Sequence, residues 1–270
     1  MISLDWKERL VRDSQDFLER KIPMGDYDFD IIYNAYPERI ENKVPRDVVV
    51  LVSSTLASAM AKNPDQYKTF FDYIWEKKGE NGKVAFACIL GKVMSRKHNE
   101  YMDYVKAHLF KADNANDIAL LLEKTLYPIF KKNPAQYFDT LIQWIREDNE
   151  QLSQCIIKML MKLLKNESEL LRKFFAKMEN RWMNASPNFI KINAFLIKSI
   201  AKTDETMYFS IYESYKNTRD PNFVEILTGG LTLYSDNIKE YYENWAKSGN
   251  ARVKKAALTG LKFLKKKGSE

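Results

Sequence analysis

Apolar residues recur at helical spacing along most of the chain, in stretches separated by short polar breaks. Strand-like alternation is nearly absent. The β-branched run "DVVVLV" at 47–52 continues into "SSTLASAMAK" at helical spacing and follows Pro45. Proline suits the first turn of a helix. The pattern therefore predicts an all-α protein in which this run begins a helix.

The helical pattern repeats with a period of about 35 residues, which is typical of stacked helix pairs. "KNPDQYKTFFDYIW" from Lys62 and "KKNPAQYFDTLIQW" from Lys131 show the repeat most plainly. The first helices are predicted to begin at residues whose side chains suit an N-cap, namely Asn63, Asn99, Asn133, Asn166, Thr203 and Asp236. The second helices are predicted to begin near Arg46, Lys83, Ile118, Gln151, Asn188, Asn222 and Asn250.

Such hairpins bury their apolar stripes only by stacking on one another. We therefore expect one solenoid domain over residues 1–270, with an N-terminal helical cap at 1–45 and six to seven stacked helix pairs over 46–267. The acidic, aromatic segment 25–41 resembles a terminal cap with a polar outer face, or a segment that docks a partner. A large irregular helical bundle is the alternative.

The final second helix, "NARVKKAALTGL" from Asn250, resembles a HEAT-type repeat. The resemblance is carried by Asn250, Val253, Lys254, Ala256, Ala257 and Leu261. "DPNFVEILTGGLTLY" from Asp220 fits in part, with Glu225 where a basic residue is usual. The resemblance implies a curved α-α superhelix of the HEAT/ARM type in which second helices line the concave side. Tetratricopeptide repeats have a similar period, but their small-residue and aromatic positions are not recognisable here.

Charge is divided unevenly between the two helix layers of a chain whose net charge is +7. The predicted second-helix cores, 83–97, 118–132, 151–165, 188–202, 222–234 and 250–267, hold 20 Lys or Arg and two acids, Glu123 and Glu225. The remainder holds 23 bases and 34 acids. Favourable placement of cations at helix C-termini explains nine of these bases, which leaves 11 bases against two acids. The bias therefore predicts a basic face on the second helices.

A face of one charge sign attracts a polyanion, most often nucleic acid. The candidate binding residues are Lys92, Lys124, Lys158, Lys162, Lys165, Lys191, Lys198, Lys202, Lys255 and Lys262. The sequence favours a non-catalytic binding protein for DNA or RNA. A scaffold for an acidic protein partner, or a solvated lysine face without a ligand, remains as an alternative.

The predicted size, fold and charge are also similar to those of bacterial HEAT-like DNA-alkylation-repair glycosylases, which hold duplex DNA on a basic concave face. That family uses an Asp with aromatic neighbours in the groove, and no such motif is recognisable here. Trp75, Trp144 and Trp245 fall at the ends of first helices, where packing is their expected role. We assign no catalytic residue, and an alkylpurine glycosylase is the third hypothesis.

Other chemistry is scarce. His98 and His108 lack a cysteine or carboxylate at metal spacing, and no glycine-rich phosphate loop occurs, so we predict neither metal nor cofactor. Gly229 and Gly230 are expected to permit close helix packing, and a functional hinge is the alternative.

Cysteine use and hydropathy indicate the compartment. Cys88 and Cys155 lie in apolar helical stretches and are expected to be buried thiols in a reducing compartment. No apolar stretch has the length of a membrane span, and the first residues lack a secretory pattern. We therefore expect a cytoplasmic protein without membrane contact.

Overall fold

The computed structural model describes residues 5–19, 32, 33, 36 and 44–268. Over these residues the chain forms helices and turns and no strand, which confirms the all-α class. The chain forms two compact units, residues 1–132 and 133–270. The single solenoid domain stays a prediction, and most of the predicted cap segment 25–41 lies outside the described residues. Among the described helices, none combines the length and apolar character that a membrane span needs.

Unit 1 is built around a long central helix. Its helices are α1 (Trp6–Leu18), α2 (Arg46–Met60), α3 (Lys68–Lys77), α4 (Gly79–Lys111), α5 (Ala115–Leu121) and α6 (Tyr127–Phe130). A 3-10 turn, Pro64–Tyr67, precedes α3, and a π-helical segment, Leu122–Leu126, joins α5 to α6. Helix α4 packs on α2, α3, α5 and the π segment, and α2 also packs on α1. The β-branched run is helical, as predicted, with Pro45 at the N-cap position of α2.

Helix α4 joins two predicted helices without a loop. A second helix was expected from Lys83 and a new first helix from Asn99, but the helix runs from Gly79 to Lys111 with one non-helical residue, Lys97 (φ −132°, ψ 40°). Asn99 therefore lies inside a helix and caps nothing, so that predicted start is wrong. The turn at Lys97 redirects the chain within one residue, and no polar break is needed.

Side-chain hydrogen bonds hold the part of α4 after this break against the preceding hairpin. Tyr101 donates its hydroxyl to Asp65 at 2.9 Å, and Tyr104 donates to Asp72 at 2.6 Å. His108 Nε2 lies 3.1 Å from the same Asp72 carboxylate. These partners are 32 to 36 residues apart in the sequence, close to the predicted repeat period.

The predicted helix 118–132 is interrupted by the π segment, which lies very close to α4. A β-carbon placed on Gly91 would be 2.5 Å from the carbonyl oxygen of Lys124. Thr125 donates its hydroxyl to the carbonyl of Ala87 at 3.3 Å. Glycine is therefore required where α4 meets the backbone of the π segment.

Gly91→Ala should destabilise the protein because a backbone oxygen cannot rotate away from the new methyl group. Overpacking costs about 1–3 kcal/mol, and the better helix propensity of alanine returns about 1 kcal/mol. We expect a net loss of up to about 2 kcal/mol in the free energy of unfolding, measured by urea denaturation. Gly249→Ala is the control, since nothing lies within 4 Å of that position. Equal stabilities of the two variants would contradict the close approach.

Unit 2 consists of alternating first and second helices. They are α7 (Pro134–Gln143), α8 (Glu150–Leu163), α9 (Ser168–Glu179), α10 (Pro187–Thr203), α11 (Glu205–Tyr215), α12 (Pro221–Gly230), α13 (Asp236–Ala246) and α14 (Ala251–Lys267). The second helices pack in chain order, α8 on α10, α10 on α12 and α12 on α14, while α13 packs on α14.

Two of the predicted N-caps of unit 2 are confirmed, and the other predicted starts of its first helices are off by one residue, as in α13, where Ser235 and not Asp236 takes the N-cap position. Asn133 accepts a hydrogen bond from the Gln136 amide, and Asn250 accepts from the amides of the first turn of α14. Helix α11 is capped by Asp204, one residue after the predicted start at Thr203. The predicted start at Asn166 is one residue early, because Glu167 takes the N-cap position of α9 without a capping bond.

Two contacts pack the second helices of unit 2 tightly. A β-carbon on Gly229 would lie 2.7 Å from that of Ala194, and one on Gly230 would lie 2.6 Å from Ile197. Both glycines are on α12 and both neighbours on α10, which confirms the predicted close packing.

A buried tryptophan that the sequence pattern did not single out ties four helices together. Trp182, fully buried, donates its ring N–H to Asn193 of α10 at 2.9 Å. Its ring lies 5.5 Å from those of Phe175 on α9 and Tyr215 on α11, and 5.3 Å from Phe223 on α12. This residue therefore joins two successive hairpins in one aromatic cluster.

Candidate polyanion-binding surface

All ten predicted binding lysines are exposed. Two of them, Lys92 and Lys124, lie in unit 1, and the other eight lie in unit 2. We call the eight the lysine face; they are Lys158, Lys162, Lys165, Lys191, Lys198, Lys202, Lys255 and Lys262.

Helix α8 exposes one narrow stripe, as its sequence predicts. Between Leu152 and Leu163 every residue is buried except Gln154, Lys158 and Lys162. Amphipathic helices in proteins turn such a stripe to solvent. The only polar edge of α8 over this span is therefore glutamine and lysine.

The stripe of α8 lies beside that of α10. The ammonium of Lys158 is 5.7 Å from the centre of the Phe195 ring on α10, a cation–π distance. Phe195 is partly exposed and lies at helical spacing between Lys191 and Lys198. The structure thus brings the lysines of two successive second helices onto neighbouring stripes.

The helix bounds of unit 2 keep the charge division between layers. Helices α8, α10, α12 and α14 hold twelve Lys or Arg and two acids. Helices α7, α9, α11 and α13 hold four bases and eight acids. The second-helix layer of unit 2 is therefore strongly basic.

The prediction that second helices contain only Glu123 and Glu225 as acids is wrong, because these helices begin earlier than predicted. Glu80, Asp117 and Glu150 each lie in a first turn, where a carboxylate suits the positive end of the helix dipole. Asp117 forms an ion pair with Lys83. In unit 1 the basic bias is correspondingly weaker.

One lysine of the face is partly neutralised. The ammonium of Lys191 lies 3.6 Å from Glu150 of α8, which also accepts a hydrogen bond from Gln154 at 2.8 Å. In contrast, Lys158 and Lys198 form no ion pair with any described residue. Lys158 and Lys198 therefore carry charge that is available to a ligand, whereas the charge of Lys191 is partly compensated.

Arg252 neutralises the acid that the sequence placed on α12. Its guanidinium donates to Glu225 at 2.9 and 2.7 Å and to the side-chain oxygen of Asn222 at 2.9 Å. Asn222 in turn donates to the carbonyl of Met183 at 2.9 Å. The Glu225 carboxylate raises the pKa of Arg252 above its ordinary value. Glu225 is thus an ion-pair partner in a polar chain that links α14, α12 and the segment before α10.

The exposed side of α14 carries both basic and apolar side chains. Leu258 is 46% exposed and lies between Lys255 and Lys262 at helical spacing.

The two predicted lysines of unit 1 line one cleft of about 470 Å³ between α2, α4 and the π segment. Three serines and a cysteine share this cleft, which is lined by Ser54, Ala57, Ser58, Cys88, Gly91, Lys92, Ser95 and Lys124. Sequence reasoning missed the serines, although Ser54, Ser58, Cys88 and Ser95 recur at helical spacing on their helices.

The remaining candidates have structural roles. Trp75, Trp144 and Trp245 are buried, as expected for packing residues. His108 bonds to Asp72 and to the carbonyl of Tyr104. No cluster of three or more His, Cys, Asp or Glu suited to a metal occurs among residues 44–268 or the other described positions. Cys155 is buried as predicted, whereas Cys88 is only half-buried.

Comparison of the chain with protein-family models, curated proteins and solved structures found no match.

Proposed function

We propose that this protein is a helical-repeat binding protein whose lysine face binds a polyanion, and that this polyanion is nucleic acid. The observation that carries the proposal is the charge division in unit 2, with twelve bases and two acids on the second helices. A surface of one sign raises the local concentration of a polyanion and steers its approach.

A HEAT-like arrangement of the hairpins is part of the proposal. It is supported by the chain-order packing of α8, α10, α12 and α14. Contacts between first helices support it as well, since Lys177 on α9 pairs with Asp139 on α7 and Tyr241 on α13 donates to Glu213 on α11. In such an arrangement the second helices share one side, and their lysines would form a continuous strip.

Phosphate contacts, with little base recognition, are the expected mode of binding. Base edges are recognised chiefly by Arg, Asn and Gln, and on these helices Arg252 and Asn222 are already engaged with Glu225 and Met183. Lysine acts as a point charge on phosphate. We therefore expect affinity for duplexes of unrelated sequence to be similar.

Affinity for a short DNA duplex should fall steeply with salt because each neutralised phosphate releases counterions. If about six lysines contact phosphates, the slope of log K against log salt is about −5, and affinity falls about 10³-fold between about 50 and 200 mM salt. Fluorescence anisotropy with a labelled duplex and the full chain measures this.

Two results would contradict nucleic acid as the ligand: no binding at low salt, or a slope near zero. Binding to an acidic protein, unaffected by nuclease, would instead indicate that the same face docks a protein partner.

A further inference from the structure

We propose that the cleft between α2, α4 and the π segment is a second anion site, which binds a phosphate group on a small molecule or as inorganic phosphate. It lies wholly in unit 1 and uses residues outside the lysine face. Its recognition of phosphate does not depend on nucleic-acid binding by unit 2.

The cleft exists because small side chains line both helices. Ser54, Ala57 and Ser58 of α2 face Cys88, Gly91 and Ser95 of α4, and none of these fills the space between them. Gly91 also lets the backbone of Lys124 approach α4 directly. The π segment thereby places Lys124 at the same cleft as Lys92, the neighbour of that glycine. Single-turn π segments inside helices occur frequently at functional sites.

The charges in the cleft are all positive. No carboxylate lines it, and neither Lys92 nor Lys124 forms an ion pair with a described residue. Two like charges on one cleft repel each other, and an anion between them removes the repulsion. Glu123, the nearest acid in sequence, is exposed and is not part of the lining.

The Cys88 thiol lines the cleft and is affected by one of its two lysines, Lys124. Burial raises the pKa of its thiol, while the charges of Lys124 and Arg46 act in the opposite direction. Positive charge therefore acts on a residue that lines the cleft.

The serine hydroxyls supply donors to such an anion. Ser54 donates to the carbonyl of Val50 at 2.7 Å, Ser58 to that of Ser54 at 3.2 Å, and Ser95 to that of Lys92 at 2.7 Å. Bonds of this type to a preceding helix carbonyl contribute little, and a hydroxyl rotates to suit a better acceptor. A phosphate monoester carries up to two negative charges and three acceptor oxygens, which matches two ammonium groups and several hydroxyls.

The thiol allows a site-specific test in the full chain. Alkylation of Cys88 by iodoacetamide is followed by peptide mass spectrometry in sodium phosphate and in sodium chloride of equal ionic strength. Phosphate in the cleft should shield the thiol, and the rate should fall about twofold at a concentration equal to Kd and further above it. Cys155, which is buried in α8, should show no difference between the two salts.

The variants assign the effect to the cleft. Lys92→Gln combined with Lys124→Gln should abolish the protection, whereas Lys77→Gln combined with Lys111→Gln should keep it. The control pair removes two exposed lysines from the same unit, outside the cleft. No slowing by phosphate, or slowing that survives in the Lys92/Lys124 variant, overturns the proposal.

Two further arms separate the sources of phosphate. If Cys88 reacts too slowly to follow, the melting temperature Tm is measured with and without phosphate. A phosphate-dependent rise in Tm that only the Lys92/Lys124 variant loses supports the proposal. An equal rise in all variants, or no rise in any, overturns it. Protection by a short DNA duplex and not by inorganic phosphate would assign these lysines to nucleic-acid binding and overturn the proposal. Protection by phosphate in a chain that binds no duplex leaves it standing.

Discussion

Replacing Lys158, Lys162 and Lys198 with Glu should weaken duplex binding by about 100-fold or more at moderate salt. These side chains are exposed on neighbouring stripes of α8 and α10, so the substitution removes three phosphate contacts and adds three repulsive charges. The salt slope should become shallower by about 3, because each lost contact removes about 0.9 from it. Anisotropy titrations of the variant and the natural chain at several salt concentrations measure both quantities.

The control for this variant reverses the same number of charges elsewhere in unit 2. Arg172, Lys173 and Lys247 are exposed and lie outside the second helices, so Arg172→Glu, Lys173→Glu and Lys247→Glu give the same net charge. Circular dichroism should show both triple variants as helical as the natural chain. Equal loss of affinity in both would mean that net charge alone matters, and the lysine face would not be the binding surface.

Trp182→Ala should be the most damaging single substitution for stability, with a loss of about 3–5 kcal/mol in the free energy of unfolding. The indole is fully buried and contacts aromatic rings from α9, α11 and α12. Its loss leaves a large cavity at the junction of two hairpins and an Asn193 oxygen without its donor. Urea denaturation followed by circular dichroism measures the effect.

Two companion substitutions separate the causes. Trp182→Phe keeps most of the packing but removes the N–H donor to Asn193, and an unsatisfied buried acceptor costs about 1–3 kcal/mol. Met183→Ala alters the adjacent side chain, which is 66% exposed, and should change stability by less than about 0.5 kcal/mol. A loss below about 1 kcal/mol for Trp182→Ala would mean that the aromatic cluster does not hold the hairpins together.

The spacing of residues along the chain predicted the helix caps that depend on neighbouring residues alone. The caps at Asn133 and Asn250 follow from side-chain oxygens within reach of their own first turn. The break at Lys97 does not follow from local pattern, since the residues around it are compatible with an ordinary helix. At the π segment Pro128 is a local signal of a disturbed helix, because proline has no amide hydrogen to donate to the Lys124 carbonyl. The bonds of Tyr101 and Tyr104 to the preceding hairpin, and the packing of the π segment on α4, join residues far apart in the sequence, so periodicity does not describe them.

The same distinction between local and distant contacts applies to the candidate binding surface. Exposure of Lys158 and Lys198 follows from their spacing among apolar residues. The pairing of Lys191 with Glu150, and of Arg252 with Glu225, joins different hairpins, so no local spacing reveals it. Charge counts along a sequence indicate which layer is basic, but only the contacts between hairpins show which cations remain available to a ligand.

The one-residue joint at Lys97 limits how the length of this chain can vary. Each residue added to a helix rotates the rest of that helix by about 100° about its axis, and here no loop exists to absorb the rotation. An insertion next to Lys97 would swing Tyr101 and Tyr104 away from Asp65 and Asp72. The loop between α13 and α14 contains Gly249, with open space around it, and offers a safer point for grafting a tag or a foreign peptide.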